Sequence, residues 1–103
     1  MSKDAKWSKR VAEINDFKCV HCGSENCTSA HIIPRTVPIL RHVLQNGISF
    51  CPKIHVLFDE SSPNNPERKK VIDLYIGKEK YKTLQDIKAG KISVEEAGFE
   101  VIN

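Results

Sequence analysis

A chain of 103 residues, 40% hydrophobic and 28% charged, is the size of one domain with one modest core, which a metal staple would help to hold. It has no apolar run long enough to span a bilayer, and its polar start, Met1-Ser2-Lys3-Asp4, lacks an apolar signal core, so a cytoplasmic (intracellular) protein without a membrane partner is expected. Four cysteines in a reducing compartment read as metal ligands before disulfides. The net charge of +3 excludes little, but its distribution is informative. Lys3, Lys6, Lys9, Arg10 and Lys18 crowd the N-terminal segment, and Arg35, Arg41 and His42 fall near mid-chain. Phosphate-binding surfaces have this character. The lysines at 69, 70, 78, 80 and 82 are interleaved with acids, so a solvated helix face explains them equally well.

Trp7, Val11 and Ile14 recur at i, i+4 and i+7, which predicts an amphipathic helix from about 4 to 16. Cys19-Val20-His21-Cys22 then forms a knuckle, with Gly23 available for the tight turn. Residues 27–33 read as a strand running into Pro34, and 35–45 as a loop containing Pro38. Asn46-Gly47 is a strong hairpin-turn signal, followed by a return strand at Ile48–Phe50. Pro52 suits the first turn of a helix that should reach about Glu60. Residues 61–65 form a polar connector. Asn65 caps the next helix with Pro66 at its first position, and Gly77 stops it. A further helix spans about 78–89 and ends at Gly90, and Ser93 with Glu96 matches a capping box for a last turn. The expectation is a single domain over 1–103, with a core at about 17–60 and supporting helices over about 66–97.

Three residues in the central segment carry chemistry. His31 ends a strand, Asn46 opens a turn, and His55 lies on the helix after the return strand. Two histidines so placed can meet around one metal ion, the minimum equipment for cutting a phosphodiester. A neutral histidine can activate water, because the unperturbed side chain titrates near pH ~6.5. The bland alternative for His31 is a strand histidine bonded to a neighbouring carbonyl. For Asn46 it is a residue that only makes the turn. His55 and Asp59 are spaced i, i+4, so they share one helix face and can converge on a hard cation such as Mg²⁺ or Mn²⁺. The alternative for Asp59 is a surface acid.

The blocks Cys19-x2-Cys22, His31-Ile32-x-Pro34, Asn46-Gly47-Ile48, Cys51-x3-His55 and Phe58-Asp59, in this order, resemble the HNH endonuclease family over about residues 17–60. The resemblance implies an α+β fold with a small ββα-metal (His-Me finger) core of the zinc-ribbon type, flanked by N- and C-terminal helices. It implies His31 as general base, Asn46 as the residue fixing it, and His55 with Asp59 on the catalytic Mg²⁺ or Mn²⁺. It also implies double-stranded DNA as substrate, cut to 5′-phosphate and 3′-hydroxyl ends, with no nucleotide cofactor. Lys9, Arg10, Arg35 and Arg41 are the candidate DNA contacts. One set of site residues per chain suggests a monomer or weak dimer that nicks one strand at a time. Phages, mobile elements and restriction systems all carry such proteins.

Two positions depart from the family pattern. Many members place an aspartate or histidine ligand just before the base, where this chain has Ala30. Asp59 and waters then complete the site, or metal binding is weak, or the chain binds DNA without cutting. Zinc-ribbon members supply a second Cys-x2-Cys pair before the final histidine, where this chain has Cys51 but Ile54. The expected structural zinc ligands are therefore Cys19, Cys22, Cys27 and Cys51, with Cys27 as replacement. His21 is a second candidate, and four reduced thiols without zinc the remaining option. Two other functions compete: a non-catalytic zinc-ribbon DNA-binding module, which would need neither His31 nor His55, and a redox protein using Cys19 and Cys22. No βαβ pattern surrounds that pair, which argues against the redox option.

Overall fold

The computed structural model describes residues 2–60 and 65–102, in the case of 57–60 the backbone alone. The chain begins with helix α1, Lys3–Ile14. Ser2 caps it, its hydroxyl accepting from the Ala5 N–H at 3.1 Å, which satisfies one orphan donor of the first turn. Trp7 and Val11 are buried, whereas Ile14 is 57% exposed. The apolar stripe is therefore used only over its first two members.

Strands β1 (Thr28–His31) and β2 (Gly47–Phe50) form a two-stranded antiparallel sheet. Thr28 pairs with Phe50, Ser29 with Ser49, Ala30 with Ile48 and His31 with Gly47. Side chains alternate along a strand, so Ser29 and His31 share one face while Ala30, between them, takes the other. The polar face meets α1, where Ser29 Oγ donates to the Ser8 carbonyl at 2.7 Å. Ala30, Ile48 and Phe50 join the main core with Ile32, Leu40, Val43, Leu84 and Ile87. Trp7, Val11 and Leu44 form a smaller buried cluster. Helix α2, Pro52–Glu60, follows β2 directly, with proline at its first position as expected.

The Asn46-Gly47 hairpin turn expected from the sequence is not formed. The strands are joined instead by residues 32–46, a long connection holding two 3₁₀ turns, Pro38–Leu40 and Leu44–Asn46. A two-residue type I′ turn needs positive φ at both centres. Gly47 has φ −115° and ψ 146°, and is the first residue of β2. Its lack of a side chain serves another purpose. A Cβ there would overlap Val11 Cγ2 and stand 2.8 Å from Trp7 Cζ2.

Asn65 caps α3 (Pro66–Val71), its Oδ1 accepting from the Glu67 N–H at 2.9 Å. The rest of the expected connector, residues 61–64, lies outside the described residues. The helix does not continue regularly to Gly77 but widens into a π turn over Ile72–Ile76, ended by Gly77 at φ 94°. Helix α4 spans Lys78–Lys88, and Ser93 Oγ caps the Glu96 N–H at 3.0 Å. The sequence did not announce the last contact. Val101 bridges Val43, Leu44 N–H donates to Glu100 O at 2.8 Å, and Ile102 N–H donates to His42 O at 2.9 Å. The C-terminal segment thereby braces the connection between the strands. Among the described residues, no helix is long and apolar enough to cross a membrane.

Gly47 tests the packing of α1 on the sheet. Gly47→Ala should lower stability by about 1–3 kcal/mol, the usual cost of overpacking. A urea melt reads it directly; an unchanged midpoint would show that α1 can back away from β2 at no cost.

Candidate active site

Asn46 is fully buried at the end of the second 3₁₀ turn. Its Oδ1 accepts from the Ile33 N–H at 2.7 Å. Its Nδ2 donates to the Ile33 carbonyl at 3.0 Å and to the Leu40 carbonyl at 3.1 Å. Leaving any of these buried groups unpaired would be costly, so the amide has one satisfactory placement. It ties the exit of β1 to the first 3₁₀ turn, and the backbone beside it also holds, since Ile32 N–H donates to Asn46 O at 2.9 Å.

The residue after Leu40 receives the candidate base. His31 Nε2 lies 2.9 Å from the Arg41 carbonyl. A carbonyl oxygen only accepts, so Nε2 carries the hydrogen and the lone pair of the neutral ring resides on Nδ1. The ring lies flat on Trp7, with centroids 3.9 Å apart and planes 9° from parallel. Trp7 is itself anchored, its Nε1–H donating to the Val43 carbonyl at 2.8 Å. Burial pushes His31 below its ordinary value. The Arg41 carbonyl and Asp4 oppose this, while the charges of Arg35 and Arg41 add to it. The ring is thus held neutral in the range where a general base works. The carbonyl bond proposed as the bland reading of His31 is present, and it is also what selects the tautomer a base requires.

His31 and His55 line one cleft of about 600 Å³, together with Asp4, Trp7, Arg35 and Arg68. His55 sits on the first turns of α2, with Nδ1 2.6 Å from the Thr28 hydroxyl. The Thr28 hydroxyl also lies 3.4 Å from the Phe50 carbonyl. Asp59 lies one helical turn further along α2, on the same helix face by spacing; its side chain is outside the described residues. Ala30 is 1% exposed and faces the core, so the position before the base contributes only packing. Arg68 was not singled out from the sequence. It is 9% exposed on α3 and borders the cleft, whereas its neighbours Lys69 and Lys70 are exposed; the sequence does not distinguish the three.

Cys19, Cys22 and Cys51 bring their sulfurs within 4.8 Å of one another. The knuckle closes through Gly23 N–H to Cys19 O at 2.8 Å and Cys19 N–H to Ser24 O at 2.9 Å, with Gly23 at φ 73°. Val20 N–H donates to Ser49 O at 3.1 Å, which docks the knuckle on β2, one residue pair from Cys51. Burial alone would raise the Cys19 thiol, but N–H groups of Cys22, Cys51 and His21 turn toward its sulfur and lower it overall. Cys22 moves the other way: the Ser24 N–H favours its thiolate, but the neighbouring Cys19 and Cys51 sulfurs outweigh that. Three thiols this close fit a soft dication, since Zn–S bonds of about 2.3 Å in a tetrahedron put sulfurs about 3.8 Å apart.

The fourth ligand departs from expectation. Cys27 stands outside the group of three. The ladder starts at Thr28, and Cys27 N–H bends back to Glu25 O at 3.0 Å, so the half-buried thiol packs at the edge of the core instead. His21 is engaged elsewhere, its Nδ1 2.9 Å from the Tyr75 hydroxyl.

The expected DNA contacts separate into two kinds. Lys9 and Arg35 are exposed, and Arg35 borders the cleft. Arg10 is exposed and lies 3.3 Å from Glu13. Arg41 is already committed: Nη2 and Nε reach the two Asp4 oxygens at 2.6 and 3.0 Å, so its fork faces a carboxylate instead of a phosphate.

Residues 19–62 match the family model described as HNH endonuclease. The matched segment runs from the knuckle through both strands and the whole of α2. No curated protein and no solved structure matches the chain. Over residues 19–62 the chain is similar to the HNH endonuclease family, a family of nucleases.

Proposed function

We propose that this chain is a divalent-cation-dependent DNA endonuclease that nicks one strand of a duplex at a time. The observation that carries the reading is the seat of His31: a neutral ring, held by Trp7 and the Arg41 carbonyl, in the cleft it shares with His55. Nδ1 of His31 takes a proton from water as the oxygen attacks phosphorus. His55 through Nε2 and Asp59 would hold Mg²⁺ or Mn²⁺. When bound there, that cation supplies positive charge at the scissile phosphate and at the departing 3′ oxygen. Arg35 at the rim adds charge for the DNA backbone. Asn46 touches no substrate in this scheme; it holds the connection that presents the Arg41 carbonyl.

Cys19, Cys22 and Cys51 would hold a structural zinc, which links the knuckle to the β2–α2 junction. A second reading, a module that binds DNA without cutting, rests on Ala30, which withholds the acid many relatives use. The retained seat of His31 favours the nuclease, because a binding module has no use for a tautomer-selected, desolvated imidazole.

Supercoiled plasmid with Mg²⁺ or Mn²⁺ should give open circles well before linear DNA, and EDTA should stop the reaction. Direct conversion to linear product would require two cooperating sites. His31→Ala should lower the rate about 10²–10⁴-fold while leaving DNA affinity near wild type. Near-wild-type cleavage by a folded His31→Ala protein would refute the base assignment. The sign of the pH dependence follows from the lowered value of His31: activity is lost as the ring protonates, so the acidic limb should lie below the ordinary 6.5. A limb above 6.5 would mean that another group limits the reaction. Metal analysis separates the cysteines. Cys51→Ser should lose bound zinc, and Cys27→Ser should retain it; the reverse pattern would dismiss the three-sulfur site.

A further inference from the structure

The N-terminal helix lies outside the matched segment, yet it reaches the candidate base by two routes. Trp7 is one contact. The other is indirect and begins at Asp4, one turn earlier on the same face of α1. Asp4 Oδ2 stands 2.6 Å from Arg41 Nη2, and Oδ1 stands 3.0 Å from Arg41 Nε. The same Oδ1 lies 2.8 Å from His42 Nε2. One carboxylate therefore grips two consecutive side chains of the strand connection. The carbonyl of the first of them receives His31 Nε2–H at 2.9 Å. The backbone on either side is pinned by other means: Asn46 holds Leu40 O, and the C-terminal segment pairs with His42 and Leu44. The Arg41 peptide between them has Asp4 as its side-chain clamp.

We propose that Asp4 is a positioning residue for His31, acting through Arg41 to aim the carbonyl that selects the tautomer of the base. The proposal rests on the reading of His31 as general base. Both partners are substantially exposed, with side-chain exposures of 50% for Asp4 and 40% for Arg41. An ion pair so exposed adds little to stability. Its bidentate geometry nevertheless restricts where the Arg41 peptide can sit. The Asp4 carboxyl is held down to about 2, chiefly by Arg41 and then His42, so the clamp is charged throughout the range in which His31 works. A small displacement of a catalytic group is expensive even when the fold survives. The effect of losing Asp4 should thus appear in turnover and in the state of the His31 ring, not in the melting temperature.

The test compares Asp4→Ala, Asp4→Asn and Asp4→Glu in the full chain. Turnover and KM are measured on plasmid with Mn²⁺, and the ring is observed by long-range ¹H–¹⁵N NMR of the metal-free protein. The wild type should show one His31 tautomer, with hydrogen on Nε2. Asp4→Ala and Asp4→Asn should show a mixture of tautomers and lower kcat on the order of 10–100-fold, with KM near wild type. Asp4→Glu, which keeps two oxygens and the charge, should recover most of both. An unchanged tautomer in Asp4→Ala would overturn the proposal, as would a loss confined to KM, which would make Asp4 part of DNA binding. If the wild type cuts no DNA, the nuclease reading fails, but the tautomer comparison still decides whether Asp4 aims the ring.

Discussion

The buried side chain of Asn46 fixes the connection whose Arg41 carbonyl meets His31. Residues 32–46 leave β1 and return as β2 without a regular ladder to hold them. A connection of that length needs polar partners for its buried backbone groups, because unpaired ones are costly away from water. Asn46 supplies three bonds to two backbone sites thirteen and six residues away. An aspartate could accept from Ile33 N–H, but it could not donate to two carbonyls. The amide therefore suits both ends of the task, and the carbonyl that meets His31 belongs to the residue beside Leu40.

Around this fixed connection, three chain segments distant in sequence converge on one imidazole. The sheet carries His31, α1 supplies the Trp7 face and the Asp4 clamp, and the C-terminal segment braces residues 42–44 from outside. Close approach of α1 depends on Gly47, the strand partner of His31. Residues 19–62 alone would thus leave the ring without its aromatic floor. The helices outside the family segment contribute to the site by support, and Arg68 on α3 brings charge to the cleft wall. The three-cysteine cluster is organised separately: the knuckle is docked on β2 by Val20 and meets Cys51 at the point where β2 becomes α2.

The elements governed by local rules were legible in the sequence. Caps at Asn65 and Ser93, proline at the first position of α2 and α3, and glycine stops all appear where the residue types place them. So did His31 at a strand end and His55 on the following helix. What was misread depended on tertiary contact. Asn46-Gly47 carries the composition of a hairpin turn, but the apolar side chains of α1 over Gly47 gave the glycine a steric function instead. Cys27 has a suitable place in the sequence, yet the start of the ladder turns its backbone away. Arg41 looked like a phosphate contact because its acidic partner lies 37 residues upstream. Val101 pairs with Val43 through a segment too short to show any periodicity. The stack of Trp7 on His31 left no sequence signal beyond an apolar stripe, which a core helix shows equally.

The account stands on a neutral His31 whose Nε2–H is held by the Arg41 carbonyl. A pH titration of the wild-type ring by ¹⁵N NMR measures both properties without any assumption about substrate or metal. The expected result is a single tautomer protonated at Nε2, with a midpoint below the ordinary 6.5. A ring protonated at Nδ1 when neutral, or a midpoint at or above 6.5, would contradict the seat described for the base and with it the reading of the cleft as a hydrolytic site.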